Sequence, residues 1–223
     1  RMLPQAVTRV QGNRKGLDMN LRKQLTASLL IAVLTATGLW GGEPLAEVRT
    51  TVDKILELLS DPEMDASPDE QQKRLVEVIS EKFDFEKMTQ LVVGRFRRKL
   101  SDEQFQKVTD LFTRLLQKTY LDRIMGYEEN SVTFGDERKL SSRKAQVETA
   151  IGVNGEQIPV IYKVYRTKQG KWMVYDVKIE GVSLVSNYRQ QFGDILLSKP
   201  PAALISKLEE KLNAKTEDGT NQK

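Results

Sequence analysis

Two of the residue types that most often carry out catalysis or bind metal ions are missing from this sequence. The chain of 223 residues has no cysteine and no histidine, so it lacks the commonest general base and the commonest zinc ligand. Asp176 is the one acidic residue in the segment Trp172–Ile179, which the alternation of its side chains predicts to be a β-strand. A carboxylate that faces a cavity can act as a general base, so the direction of Asp176 matters for function.

This predicted strand has one wholly apolar face and one mixed face. The apolar face consists of Met173, Tyr175, Val177 and Ile179, whereas the other positions become polar at Asp176 and Lys178. The apolar face is predicted to line the interior, with Asp176 pointing outward. In the opposite register Asp176 would face the interior, as an isomerase or hydratase of the ketosteroid-isomerase kind requires.

Other signatures of catalysis are missing from the sequence. It contains no nucleophile–base pair, no glycine-rich phosphate loop and no metal-ligand spacing. The sequence therefore favours a protein that is not an enzyme and that uses no cofactor and no metal.

A second group of candidate residues is a basic cluster: Arg95, Arg97, Arg98 and Lys99. Arginine side chains match the geometry of phosphate oxygens, which makes the cluster a candidate contact for lipid phosphate, an anionic membrane surface or an acidic partner. The alternative is a solvated turn between two helices, which is the usual role of such charge runs.

The net charge of the chain is +4 and its pI is about 9.1, values that first suggest nucleic-acid binding. Six basic and two acidic residues lie within residues 1–46, which leaves 29 of each sign in residues 47–223. A nucleic-acid-binding domain needs a clustered basic face on the folded part of the chain. The sequence therefore predicts no nucleic-acid partner.

The basic excess belongs to a segment with the layout of a secretory signal peptide. Met19 is followed by Arg22 and Lys23, and then by an uncharged apolar run from Leu25 to Trp40. That run has the length of a signal-peptide core and is short for a membrane-spanning helix. An uncleaved membrane anchor is the alternative interpretation.

Cleavage is expected after Ala46, with Gly41 or Gly42 as alternative positions. Four regions follow from this boundary: an upstream extension at 1–18, a signal peptide at 19–46, a single domain at 47–214 and a polar tail at 215–223. A signal peptide of this kind predicts export from the cytoplasm.

The sequence after the leader is typical first of helices and then of strands. Helices are predicted at 47–59, 67–82, 84–93 and 101–125, and capping boxes begin at Ser67 and at Ser101. Strands are predicted near 132–134, 146–153, 158–164 and 172–179. Their short connections, including Asn154-Gly155, indicate an antiparallel meander. Helices at 187–197 and 201–212 follow, the first with Ser186 as its expected N-cap.

This order predicts an α+β fold. N-terminal helices would pack on a curved antiparallel sheet of about four strands, with C-terminal helices, to enclose an apolar cavity. A carrier needs such a volume and apolar walls, whereas an enzyme would also need an acid or base inside it. A third interpretation is an adaptor domain that binds no ligand because its interior is filled.

Three stretches are similar to one known family: DVKIEGVSLVSNYRQQF from Asp176 to Phe192, FDFEKM from Phe83 to Met88, and LSDEQF from Leu100. They resemble the MlaC family, also called the toluene-tolerance family, and the similarity runs from about Val48 to about Leu212. The family consists of periplasmic phospholipid carriers of Gram-negative bacteria.

The resemblance implies a monomeric carrier that holds phospholipid acyl chains in its cavity. Its implied partners are phospholipid, the MCE-domain ring of an inner-membrane ABC transporter and an outer-membrane lipoprotein complex, between which it would shuttle lipid to maintain outer-membrane asymmetry. The basic cluster would then contact the head group or a partner. The residues expected to contact lipid are apolar or aromatic: Phe105, Phe112, Leu116, Val147, Ile151, Val160, Tyr162, Val164, Met173, Tyr175, Val177, Val182, Leu184, Tyr188 and Phe192.

Overall fold

The structure is a computed structural model that describes residues 43–65, 67–125, 132–153 and 155–214. The expected extension at 1–18, most of the expected signal peptide and the expected tail at 215–223 lie outside these residues. All described residues belong to one compact unit, Gly41–Lys223. Within the described ranges, no helix is long and apolar enough to cross a membrane.

Helices form both ends of the described chain. They are α1 (Pro44–Ser60), α2 (Pro62–Asp65), α3 (Pro68–Lys82), α4 (Phe85–Val93), α5 (Asp102–Met125), α6 (Leu184–Ser198) and α7 (Pro201–Asn213), with a 3₁₀ turn at Gly94–Lys99. The short helix α2 lies between the predicted helices at 47–59 and 67–82, where no helix is predicted. Helix α6 begins earlier than the sequence pattern predicted.

The strands between α5 and α6 form one antiparallel five-stranded sheet in the order β1-β2-β3-β4-β5. The strands are β1 (Val132–Ser141), β2 (Lys144–Val153), β3 (Glu156–Arg166), β4 (Trp172–Ile179) and β5 (Val182–Ser183). The meander is as predicted, and β5 adds a short fifth strand. The α+β class predicted from the sequence is therefore confirmed.

Strand β4 contains a bulge that interrupts its alternation. Lys163 of β3 pairs with Asp176, but the next residue, Val164, pairs with Val174. Tyr175 is therefore an extra residue with no counterpart on β3, and the inward and outward positions exchange on either side of it. Strand β1 also has two register shifts, between Phe134 and Glu137 and between Lys139 and Ser141.

Side-chain caps explain where two of the helices begin, α5 and α6. Ser101 Oγ accepts from the Gln104 amide at 3.1 Å, and Gln104 Oε1 accepts from the Ser101 amide at 3.0 Å, which is the predicted capping box. Ser67 is the N-cap of α3, as predicted, and Pro68 follows it, but the Ser67 side chain makes no capping bond, so the predicted capping box is absent there. The N-cap of α6 is Ser183, whose hydroxyl accepts from the Ser186 amide at 3.0 Å, and not Ser186 itself.

The filled part of the core lies between α5, α6 and α7. Phe112 of α5 is fully buried and makes edge-to-face contacts with Tyr188 and Phe192 of α6, at centroid distances of 4.9 and 5.4 Å. Leu204 and Leu208 of α7 are also buried. This packing holds the C-terminal helices behind α5 and leaves the other side of α5 facing the sheet.

Candidate functional site

A cavity of about 460 Å³ lies between the helices and the sheet. Apolar side chains provide most of its wall. Helix α1 contributes Val48, Val52 and Ile55, and the sheet contributes residues from β2, β3 and β4, among them Ile151 and Val160. Cavities that bind small molecules are typically apolar and have volumes of roughly 300–1,000 Å³. The interior of this fold is therefore large enough to hold part of an apolar ligand.

Eight of the fifteen residues predicted to contact lipid line the cavity: Leu116, Ile151, Val160, Tyr162, Val164, Val177, Val182 and Leu184. They come from α5, from four strands of the sheet (β2 to β5) and from the first residue of α6. Their contact with a lipid remains a prediction, but the structure brings them together around one volume.

Met173 and Tyr175 do not line the cavity, contrary to the sequence prediction. Trp172 and Val174 line it instead, followed after the bulge by Val177 and Ile179. The alternation predicted one inward face for the whole strand, whereas the extra residue at Tyr175 moves the inward positions by one. The prediction therefore holds for the second half of β4 and fails for the first half.

The other five predicted residues are buried, but they do not line the cavity: Phe105, Phe112, Val147, Tyr188 and Phe192. Phe112, Tyr188 and Phe192 contact one another in the filled core between α5 and α6. Burial raises the pKa of the Tyr188 hydroxyl to about 12. These aromatic residues support the cavity wall from behind.

Helix α1 is a wall of the cavity that sequence reasoning missed. Val48, Thr51, Val52 and Ile55 recur at the spacing of one helical face, and all four line the cavity. The apolar periodicity of this segment in the sequence indicates a buried face. Periodicity alone does not show whether the buried face covers a filled core or an open volume. The sequence therefore indicates the face but does not identify it as a cavity wall.

Asp176 is buried on the side of β4 away from the cavity. Its carboxylate accepts hydrogen bonds from Lys163 Nζ at 2.8 Å, Ser183 Oγ at 2.7 Å and the Val185 amide at 3.1 Å. Only 3% of Asp176 is exposed, so it is not the solvated outward carboxylate that the sequence suggested. The isomerase interpretation required this carboxylate in the cavity, and Asp176 is not among the residues that line it.

A second carboxylate ties the helices to the sheet. Asp84 caps α4 by accepting from the Lys87 amide at 2.8 Å, and its other oxygen accepts a hydrogen bond from the Tyr165 hydroxyl. Its own amide donates to the Val174 carbonyl at 2.9 Å, beside a short parallel bridge between Phe83 and Val174. Burial, then the bond to Asp84, raises the pKa of Tyr165 to about 12.

The polar groups that line the cavity are few: Glu47, Thr51, Lys82, Gln117, Tyr120, Tyr162, Glu180 and Asn187. Burial raises the pKa of the Tyr162 hydroxyl, and a hydrogen bond with Thr149 partly opposes that shift. Glu47 and Lys82 form an ion pair that joins α1 to the end of α3. Within the described part of the chain, no group of three or more acidic, His or Cys residues could hold a metal ion.

The predicted head-group cluster does not reach the cavity, since none of Arg95, Arg97, Arg98 and Lys99 lines it. Two of the four are held locally on the 3₁₀ turn. Arg97 contacts Asp102 at 2.5 Å and the Leu100 carbonyl at 3.0 Å, and Lys99 donates to the Leu196 carbonyl at 2.7 Å. Arg95 and Arg98 remain exposed. The cluster is therefore not a contact for a head group inside the cavity, whereas a contact with a partner remains a prediction.

The chain is an α+β protein with an internal cavity. Its helices pack across one face of a bulged antiparallel sheet, and an apolar volume lies between them. The family model described as "MlaC protein" matches residues 49–210. The chain therefore belongs to the MlaC family.

Related proteins support this assignment. A solved structure of a phospholipid-binding protein from Ralstonia solanacearum, in complex with a phospholipid, superposes with a TM-score of 0.70 and 29% sequence identity, covering 77% of this chain and 97% of that one. The toluene tolerance protein ttg2D of Pseudomonas putida is 26% identical over 107 residues. The intermembrane phospholipid transport system binding protein MlaC of Haemophilus influenzae is 26% identical over 124 residues.

The matched regions cover only part of the two sequence relatives. They amount to 48% of this chain and 49% of the Pseudomonas protein, and to 53% of this chain and 58% of the Haemophilus protein. The structural match, by contrast, spans nearly the whole of the Ralstonia protein.

Proposed function

We propose that this protein binds a phospholipid with its acyl chains in the cavity between the helices and the sheet, and carries it through an aqueous compartment. The observation that carries the proposal is the apolar cavity of about 460 Å³. The structural neighbour that holds a phospholipid and the relative named for phospholipid transport support the choice of ligand.

The energetics of lipid extraction require an enclosed site. Burial of each methylene group is worth about 0.8 kcal/mol, so two ordinary acyl chains represent roughly 20 kcal/mol or more. A shallow surface groove could not offset the loss of the bilayer. Walls on opposite sides of the chains, such as Val52 and Ile55 on α1 and Val160 and Val177 on the sheet, can replace these contacts.

The proposed route follows from the family. The protein would be exported to the periplasm, where it would exchange lipid between an outer-membrane lipoprotein complex and the MCE-domain ring of an inner-membrane ABC transporter. Arg95, Arg98 and Lys99 of the basic cluster are exposed, and Lys99 donates to the Leu196 carbonyl, so Arg95 and Arg98 are the proposed contacts with an anionic membrane or an acidic partner.

The test is mass spectrometry of the lipid extracted from protein purified without detergent. We expect phospholipid in an amount close to that of the protein. Recovery of no lipid, together with no uptake of phospholipid from vesicles, would contradict the proposal. Recovery of a small polar metabolite would favour an enzyme instead.

A further inference from the structure

Lys82 has a special position in the cavity wall because of its charge. Among the described residues that line the cavity, the charged ones are Glu47, Lys82 and Glu180. Lys82 is the one cation in this set, and the basic cluster at residues 95–99 does not reach the cavity. A phospholipid carries a negative phosphodiester next to its acyl chains. Any positive charge that meets this phosphodiester from the described part of the wall must therefore come from Lys82.

The surroundings of Lys82 are intermediate between core and solvent. It is the last residue of α3, and its ammonium contacts the carboxylate of Glu47 in the first turn of α1. The two side chains are 30% and 32% exposed, respectively. A half-buried ammonium without a counterion is unfavourable, so Glu47 stabilises Lys82 as long as no other anion is present.

We propose that Lys82 is the anion contact of the cavity, which binds the phosphodiester of the lipid, and that Glu47 holds the ammonium until the lipid arrives. This inference rests on the proposed function and names the head-group part of the same site. Lysine binds phosphate as a point charge, which suits head groups that differ beyond the phosphate. When Lys82 has exchanged Glu47 for the phosphodiester, the Glu47 carboxylate remains about one-third exposed to water and is not left buried without a partner.

The competing explanation is that the Glu47–Lys82 pair only holds α1 against α3. Four variants separate the two explanations: Lys82→Gln, Lys82→Arg, Glu47→Gln and the control Lys107→Gln. Lys107 pairs with Glu209 at 3.3 Å and joins α5 to α7, and neither residue lines the cavity. The control thus removes an interhelical ion pair elsewhere in the fold.

The experiment is a calorimetric titration with three probes. These are a short-chain phosphatidylglycerol, a diacylglycerol with the same acyl chains, and the corresponding glycerophosphodiester without acyl chains. The first probe has a phosphate-containing head group and the second has none, while their acyl chains are the same. The third probe has the phosphate but no tails, so it distinguishes a lipid site from a site for free anions.

For Lys82→Gln we expect about fivefold weaker binding of phosphatidylglycerol, the loss expected for one charge-assisted hydrogen bond at a half-exposed site. Binding of diacylglycerol should not change. Lys82→Arg should bind phosphatidylglycerol like the parent. Glu47→Gln should bind it at least as tightly as the parent, because the competing carboxylate is gone, and Lys107→Gln should leave all titrations unchanged.

Three results would overturn the inference. The pair is only a clamp if Lys82→Gln and Glu47→Gln weaken phosphatidylglycerol and diacylglycerol to the same extent. Lys82 has no role in binding if Lys82→Gln weakens neither lipid. The site is one for free anions if the probe without acyl chains binds as tightly as the lipid. Failure of the parent protein to bind either lipid would instead contradict the proposed function, and the two failures are therefore distinguishable.

Discussion

The carboxylate of Asp176, near the end of β4, accepts a hydrogen bond from the backbone amide of Val185, in the first turn of α6, at 3.1 Å. The same carboxylate accepts from Ser183, the residue that caps α6, and from Lys163 on β3. One buried acid therefore fixes the angle at which the strand leads into the helix. A carboxylate at a helix N-terminus is also stabilised by the helix dipole.

Asp176→Ala is expected to destabilise the protein by about 2–4 kcal/mol, because it removes three hydrogen bonds and leaves the Lys163 ammonium without its partner. Urea denaturation measures the change. The control is Asp194→Ala on the exposed face of α6, which should change stability by no more than about 0.5 kcal/mol. Equal stability of the two variants would show that the buried network contributes little.

Val177→Trp and Val147→Trp test whether the cavity is open to a ligand. Both residues are buried and each pairs with Tyr162 from a neighbouring strand, but only Val177 lines the cavity. At Val147 the larger ring should overpack a filled site and destabilise the protein by about 1–3 kcal/mol.

At Val177 the ring can occupy the cavity, so we expect a smaller loss of stability and less bound lipid per protein. Thermal unfolding and lipid extraction are measured on both variants and on the parent. If Val177→Trp is destabilised as strongly as Val147→Trp and its lipid content is that of the parent, the volume beside Val177 does not hold the ligand.

Tyr165→Phe tests the link between Asp84 and the sheet through its pH dependence. The pKa of Tyr165 is raised from 10.0 to about 12, so the folded state holds this proton more tightly than the unfolded state. The stabilisation is fully present below pH 10 and is lost as the pH rises towards 12.

The parent should therefore be more stable than Tyr165→Phe by about 1 kcal/mol below pH 10, the typical contribution of one hydrogen bond. The difference should shrink between pH 10 and pH 12, which denaturant titrations at several pH values can measure. A difference that stays constant over this range would mean that the hydroxyl proton does not contribute through the bond to Asp84.

The proposed partner contacts of the basic cluster, Arg95 and Arg98, are tested by Arg95→Gln combined with Arg98→Gln. We expect weaker binding to phosphatidylglycerol vesicles and a flatter dependence on salt concentration, since fewer charges interact across the interface. Stability should change little, because both side chains are exposed.

The control for this pair is Lys73→Gln combined with Arg74→Gln, which makes the same change in charge on the exposed side of α3. If both double variants lose vesicle binding to the same extent, the effect comes from net charge and the cluster is an ordinary solvated turn.

The contacts at the start of α1 predict a cleavage position for the proposed signal peptide that differs from the one predicted from the sequence. The amide of Leu45 donates to Glu137 at 2.9 Å, Pro44 is buried, and Glu43 pairs with Lys139 at 2.9 Å. Cleavage after Ala46 would remove all these contacts with β1. We expect the N-terminus of the exported protein at or before Glu43, as an intact mass from a periplasmic extract would show. A mass that begins at Glu47 would contradict this expectation.

The fold class could be predicted from the sequence because its signals are local. The capping box at Ser101 and Gln104 and the alternation in β2 and β3 each depend on neighbouring residues, and each is present in the structure. The N-cap of α6 was misplaced because Ser183 and Ser186 are both suitable caps. Ser183 also donates a hydrogen bond to Asp176, and this contact favours Ser183 as the cap. Asp176 lies in β4, outside the helix, so the helical pattern does not reveal it.

The cavity wall was harder to predict because it depends on features that period-two and helical patterns do not contain. A bulge such as that at Tyr175 inserts one residue without a distinctive sequence signal. The alternation therefore places Met173 on the cavity side of β4, whereas in the structure Trp172 lines the cavity and Met173 does not. Likewise, an aromatic stripe such as Phe105 and Phe112 has the same spacing whether it packs a solid core or borders an open volume.

Strand β1 forms one edge of the sheet, and its two register shifts have a consequence for solubility. An edge strand with a regular backbone is a template on which another copy of the chain can add a strand. In β1 the shifts between Phe134 and Glu137 and between Lys139 and Ser141 interrupt the regular spacing of its outer amides and carbonyls. The charged run from Asp136 to Lys139 adds repulsion and hydration at the same edge. The strand at this edge of the sheet thus has built-in protection against aggregation into fibres.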